Sequence, residues 1–125
     1  MNLRGYFAAV LTKTSADKLK QLASLPKVFC HHITLAYNPN QEVAEKYQKM
    51  VGQKISLRVT GIRTSGKCQA ALVEGIESEN EHPHITMSVQ NGVKPFYSDT
   101  LIKNNEGRLV SIDLILEAEI VFNQH

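Results

Sequence analysis

Positions 54–64 (KISLRVTGIRT) alternate Ile55, Leu57 and Val59 with Ser56, Arg58 and Thr60, the mark of a strand with one face buried. The stretch 108–122 (RLVSIDLILEAEIVF) alternates in the same way for most of its length and predicts a long final strand. Strand formers also fill 4–12 (RGYFAAVLT) and 27–37 (KVFCHHITLAY), the latter ending in the turn-forming Asn38-Pro39-Asn40. Between these two, Thr14 or Ser15 offers an N-cap, and Ala16, Leu19, Leu22 and Ala23 recur at helical spacing until Pro26. A second helix is predicted from 41, with Val43, Tyr47, Met50 and Val51 on one side and Gly52 as its stop. Ser65-Gly66 reads as a turn into a hairpin partner, 68–76, and the polar stretch 77–83 (ESENEHP) reads as a loop. A strand over 84–89, an Asn91-Gly92 turn and a short helix capped by Ser98 complete the set. The order is β-α-β-α-β-β-β-α-β, a single α+β domain over 1–125 with a mainly antiparallel sheet.

Within that order one phrase occurs twice. His32-Ile33-Thr34 and His84-Ile85-Thr86 start 52 positions apart (32 to 84), and each strand is followed by a turn and a helix. Residues i and i+2 of a strand point to one face. His32 and Thr34 therefore share a face, as do His84 and Thr86, with Ile33, Leu35, Ile85 and Met87 on the opposite side. If the two strands lie together with those faces turned alike, two imidazoles and two hydroxyls converge. Two imidazoles in opposite protonation states supply a base and an acid for in-line displacement at phosphorus. The hydroxyls can donate to non-bridging oxygens, where charge gathers in the transition state. No metal or other cofactor is required by this set.

Composition narrows the setting. Hydrophobic content of 42% and charged content of 21% are ordinary for a globular domain. No apolar run approaches the roughly 20 residues of a membrane span. The N-terminal stretch, cut by Lys13, does not read as a signal peptide, and the two cysteines, Cys30 and Cys68, form no disulfide or metal signature, so a reducing, cytoplasmic location is expected. The net charge of +2 hides an uneven distribution. Between Glu45 and Glu74 there is no acid, while Lys46, Lys49, Lys54, Arg58, Arg63 and Lys67 fall inside. Such a run suits a phosphate-bearing partner or a solvated cationic face.

The two motifs resemble the paired H-x-[ST]-x motifs of the 2H phosphoesterase superfamily. That family includes 2',3'-cyclic phosphodiesterases, the so-called 2'-5' RNA ligases, the cyclic phosphodiesterase domains of tRNA ligases, 2'-5' oligoadenylate-degrading enzymes and phage anti-CBASS hydrolases. The segment 92–102 (GVKPFYSDTLI) is similar to one that follows the second motif in RNA-repair-type members. The resemblance implies two pseudo-symmetric β-α-β lobes around a central cleft. It also implies His32, Thr34, His84 and Thr86 as catalytic residues, and a nucleotide or RNA end carrying a cyclic or 2'-linked phosphate as substrate. Which histidine is base and which is acid stays open. The related alternatives are a hydrolase of 2'-5' or cyclic oligonucleotide signals and a non-catalytic module that grips an RNA end. No obligate protein partner is evident.

Further residues carry weaker expectations. Tyr6 and Tyr97 are candidates for stacking on a base. Arg58, Arg63 and Lys67 are candidates for phosphate contacts, and His82 shares the site face with His84 unless Pro83 bends it away. His31 is expected at the rim or packed, Cys30 packed beside the pocket, and the terminal His125 disordered. The competing use of these side chains is a zinc site built from His31, His32, His82 and His84.

Overall fold

The computed structural model describes residues 3–124; His125 lies outside them. Seven strands, β1 (Gly5–Leu11), β2 (Lys27–Val28), β3 (His32–Tyr37), β4 (Lys54–Thr64), β5 (Cys68–Glu74), β6 (His84–Val89) and β7 (Arg108–Gln124), are joined by three short helices, α1 (Lys13–Lys20), α2 (Gln41–Gln48) and α3 (Tyr97–Lys103). The sheet runs β2-β6-β3-β1-β7-β4-β5, and β5 pairs back with β6. Six strands therefore close into a ring in which every neighbouring pair is antiparallel.

This is a mostly-β protein built on one closed barrel, not the α+β pair of β-α-β lobes around a central cleft expected from the resemblance. The reason lies in the hydrogen-bonding edges. The 17-residue β7 runs along β4 and continues along β1, bridging what would have been separate halves. The two His-Ile-Thr strands, instead of facing one another across a cleft, pair directly, with Ile33 opposite Ile85. Closure leaves the barrel with one packed inside and no interlobe gap.

The inside is filled as the alternation requires. Phe7, Ala9 and Leu11 from β1, Ile33 and Leu35 from β3, Ile85 and Met87 from β6, and Leu116, Ala118 and Ile120 from β7 belong to one buried cluster. Helices α1 and α2 each add a fully buried side chain to it, Leu19 and Tyr47. A second cluster forms around Cys68, Ala70 and Val89, covered by Leu101 and Ile102 of α3. That helix thus packs on β5 and reaches β6, the second His-Ile-Thr strand, through Ser98.

Three local expectations change. Helix α1 starts two or three residues early, because the side chain of Thr12, not Thr14 or Ser15, accepts from the Ser15 amide. Ser15 is buried and accepts the Glu117 amide at 2.8 Å. The helix also stops at Lys20, well before Pro26. The strand expected over 27–37 is broken by Cys30, whose φ of 50° lies in the left-handed region. The ladder to β6 survives the break through Phe29 N–H to Met87 O and Cys30 N–H to Thr86 O. No helix among the described residues is long and apolar enough to cross a membrane.

The Ile33–Ile85 contact should matter to stability out of proportion to its size. Ile85→Ala, at a fully buried position, is expected to cost about 2–5 kcal/mol. Urea unfolding with an unchanged slope m and a midpoint lowered by that amount divided by m is the expected result.

Candidate active site

One step from the Ile33–Ile85 pair lie Thr34 and His84 on one side and His32 and Thr86 on the other. Cross-strand neighbours of this kind sit about 4.5–5.5 Å apart. The isoleucines point into the barrel, so the four polar side chains emerge on its outer wall, all half-buried. They line a single cavity of about 1020 Å³. Its other walls come from Phe29 and His31 in the strand break, from Tyr37, from loop residues 79–82, and from Pro95 and α3.

The loop is held against β3 by one backbone and one side-chain donor: the Glu79 amide donates to Leu35 O at 2.7 Å, and Ser78 Oγ donates to Thr34 O at 3.0 Å. It takes over the ladder where β6 ends, which closes one side of the cavity.

The two histidines have different surroundings. Nδ1 of His84 lies 2.7 Å from the carbonyl oxygen of His82. A carbonyl can only accept, so Nδ1 carries a proton and Nε2 is the nitrogen left to work. Nε2 lies 3.0 Å from Ser98 Oγ and 3.6 Å from Asp99 Oδ1. His32 instead has its Nδ1 3.0 Å from Nδ1 of His31, and its ring centroid 5.6 Å from that of Tyr6. Burial, then the neighbouring charges of His31 and His84, push the His32 pKa below its ordinary 6.5. At neutral pH His32 is therefore an uncharged imidazole, the form a general base needs.

The other expected site residues divide. His82 lines the cavity, and its main chain orients His84. His31 is at the rim and exposed, and the strand break lets its ring meet that of His32. Tyr6 flanks the His32 ring without lining the cavity. Tyr97 lies elsewhere: its hydroxyl donates to Glu106 at 2.7 Å and Lys67 sits over its ring. Arg58 makes a two-pronged pair with Asp113, at 2.7 and 2.8 Å, and Arg63 donates to Glu106 O at 3.1 Å. None of the six cations of the basic run lines the cavity. Lys103 is its lysine, and Glu79, Glu81 and Asp99 are also part of the lining.

Cys30 is fully buried, its thiol directed at Met87 O and its pKa pushed up to about 11 by burial, with Lys20 pulling the other way. It packs. Among the described residues no three His, Cys, Asp or Glu side chains are grouped to hold a metal ion.

Contributors not anticipated as site residues include Tyr37, Phe96, Ser98, Asp99 and Lys103. Ser98 was expected to cap a helix, but the N-cap position is Phe96 and Ser98 is buried. The signal was present, because Ser98, Leu101 and Ile102 share one helical face. A serine on an apolar face calls for a polar partner behind it. In comparison with known proteins, no family model matches the chain and no curated protein matches it.

The asymmetry of the histidines is measurable. A proton NMR titration should place the His32 midpoint below 6.5, and His31→Ala should raise it without restoring 6.5, because burial is the larger cause. The linked effect on stability has a fixed sign. The unfolded chain takes up this proton first as pH falls through 6.5, so His32 contributes a loss of stability on the acid side. A midpoint at or above 6.5 would contradict this description of the site.

Proposed function

We propose that this protein is a metal-independent phosphodiesterase that opens a 2',3'-cyclic phosphate on an RNA end or nucleotide, with chemistry of the 2H phosphoesterase type. The observation that carries the reading is the placement of both His-x-Thr pairs side by side on the wall of one cavity. The likeness to that family rests on these motifs and on the segment 92–102, since the barrel departs from the family's two-lobed architecture.

In this reading His32 is the base and His84 the acid. This role assigns the proton of the 3.0 Å Nδ1–Nδ1 contact with His31 to His32, so that its Nε2 is bare and takes a proton from water as the water oxygen bonds to phosphorus. The P–O bond to the ribose breaks, and the departing oxygen receives the Nε2 proton of His84. That proton has acceptors waiting in the resting site, Ser98 Oγ and Asp99 Oδ1. Thr34 donates to a non-bridging oxygen, and Thr86 does so by exchanging Ser98 or Pro95 O, its partners at 2.8 and 3.3 Å, for the substrate. Attraction for phosphate falls to the histidines and Lys103. The cytoplasmic location expected from the sequence belongs to the same reading, supported by two free and buried cysteines.

Cavity size favours a second substrate class. About 1020 Å³ is at the top of the range of roughly 300–1000 Å³ for small-molecule pockets. The exposed rings of Tyr37 and Phe96 add stacking surfaces at its edge. Both suit an oligonucleotide, so 2'-5' and cyclic oligonucleotide signals stand beside the RNA end as substrates.

Hydrolysis in EDTA of nucleoside 2',3'-cyclic phosphates, RNA with a 2',3'-cyclic end, 2'-5' oligoadenylate and 3',3'-cyclic dinucleotides separates these readings. Turnover of at least one is expected. His32→Ala and His84→Ala should each lower it roughly 10²–10⁴-fold with the fold intact. The acid limb of the rate profile should lie below pH 6.5, where His32 becomes charged. Silence across the panel would favour the module that binds an RNA end without cleaving it, and full activity in either alanine variant would falsify the mechanism.

A further inference from the structure

Among the polar side chains of the cavity wall, Ser98 alone is buried, at 1% exposure. It stands on the face of α3 that carries Leu101 and Ile102 into the outer cluster. Its hydroxyl oxygen lies 3.0 Å from His84 Nε2, 2.8 Å from Thr86 Oγ1 and 2.9 Å from Pro95 O. One hydroxyl proton serves three neighbours, so their chemistry decides where it points.

The His82 carbonyl fixes a proton on His84 Nδ1 in either charge state. Neutral His84 therefore has a bare Nε2, and the Ser98 O–H donates to it. Charged His84 reverses this bond: Nε2–H donates and Ser98 Oγ accepts. The reversal releases the Ser98 proton to Pro95 O, which can only accept. In both states Thr86 donates to Ser98 across the 2.8 Å contact, because the Ser98 proton is engaged elsewhere. Every partner is satisfied before and after His84 changes charge, with one hydroxyl rotation and no movement of heavy atoms. The titratable groups that share this wall with His84 are Asp99 and Lys103 from α3, His31 and His32 from β3 and the preceding break, and Glu79, Glu81 and His82 from the loop.

We propose that Ser98 is a positioning residue whose hydroxyl proton follows the charge of His84. It points to the Pro95 carbonyl while the imidazole holds two protons, and turns to Nε2 once the second has gone. The consequence for turnover rests on the phosphodiesterase reading. As the P–O bond breaks, its electron pair stays on the ribose oxygen, which takes the Nε2 proton. The Ser98 O–H then turns onto the bare nitrogen and keeps the ring in place until water reprotonates it. Without Ser98 the ring keeps its Nδ1 anchor but loses the partner at its working nitrogen.

The test is nitrogen NMR of protein labelled with ¹⁵N-histidine, in the wild type, Ser98→Ala and Ser98→Cys. In neutral His84 the accepted hydrogen bond holds the Nε2 signal upfield. Ser98→Ala should move it downfield with the Nδ1 proton retained, and Ser98→Cys, a weaker donor, should give an intermediate position. The cysteine variant keeps a donor and a readout if the alanine variant does not fold. An unmoved Nε2 signal in the substituted protein, or a neutral His84 protonated on Nε2, overturns the proposal. In turnover, Ser98→Ala should lower kcat about tenfold with little change in KM, the loss of one hydrogen bond. An inactive wild type with the NMR signature intact overturns the phosphodiesterase reading and supports the role of Ser98. An active wild type whose Ser98→Ala variant changes neither signal nor kcat overturns the role of Ser98 alone.

Discussion

The pairing of Ile33 with Ile85 sets the positions of almost everything at the candidate site. Both side chains are fully buried in the barrel, where each contributes about 1.5–3 kcal/mol by leaving water. Because strand side chains alternate, burying these two forces their neighbours outward together. A slip of one residue in either strand would send His32 or His84 into the core and an isoleucine into the cavity. The hydrophobic register is therefore also the register of the candidate site, and the barrel sets the positions of both polar pairs.

Around this fixed seam the environment separates two chemically identical side chains. His32 sits beside His31 at the strand break and is kept neutral by burial and by its histidine neighbours. His84 is anchored at Nδ1 by a carbonyl and meets Ser98 and Asp99 at Nε2. One motif is thus surrounded by groups that disfavour a second proton, and the other by oxygens that can accept one. The left-handed Cys30 contributes indirectly, since its break in the strand is what brings the His31 ring to His32.

Much of this was legible in sequence, and for physical reasons. Alternation located β4 and β7, and the repeated triplet identified the side chains that share the cavity. The element order was also legible, apart from the division of 27–37. The closure of the sheet was not. Which strand edges meet depends on how far β7 extends past β4 to reach β1, and no local pattern encodes that length of pairing. The basic run misled for a related reason: charge density along the chain says nothing about which wall a strand faces. Arg58 consequently satisfies Asp113, and the cavity's lysine comes from α3. Ser98 was hidden because a serine near a helix start reads first as a cap, although its spacing to Leu101 and Ile102 marked it as inward-facing.

The central claim is that His32 and His84 act on one phosphorus from opposite sides. It is tested most directly by titrating ¹⁵N-histidine-labelled protein with uridine and vanadate, which together form a five-coordinate mimic of the displacement at phosphorus. The account predicts that the His32 and His84 ring signals both move, following one saturation curve, while neither component alone produces the full change. Movement of one histidine without the other, or of neither, would contradict a shared site.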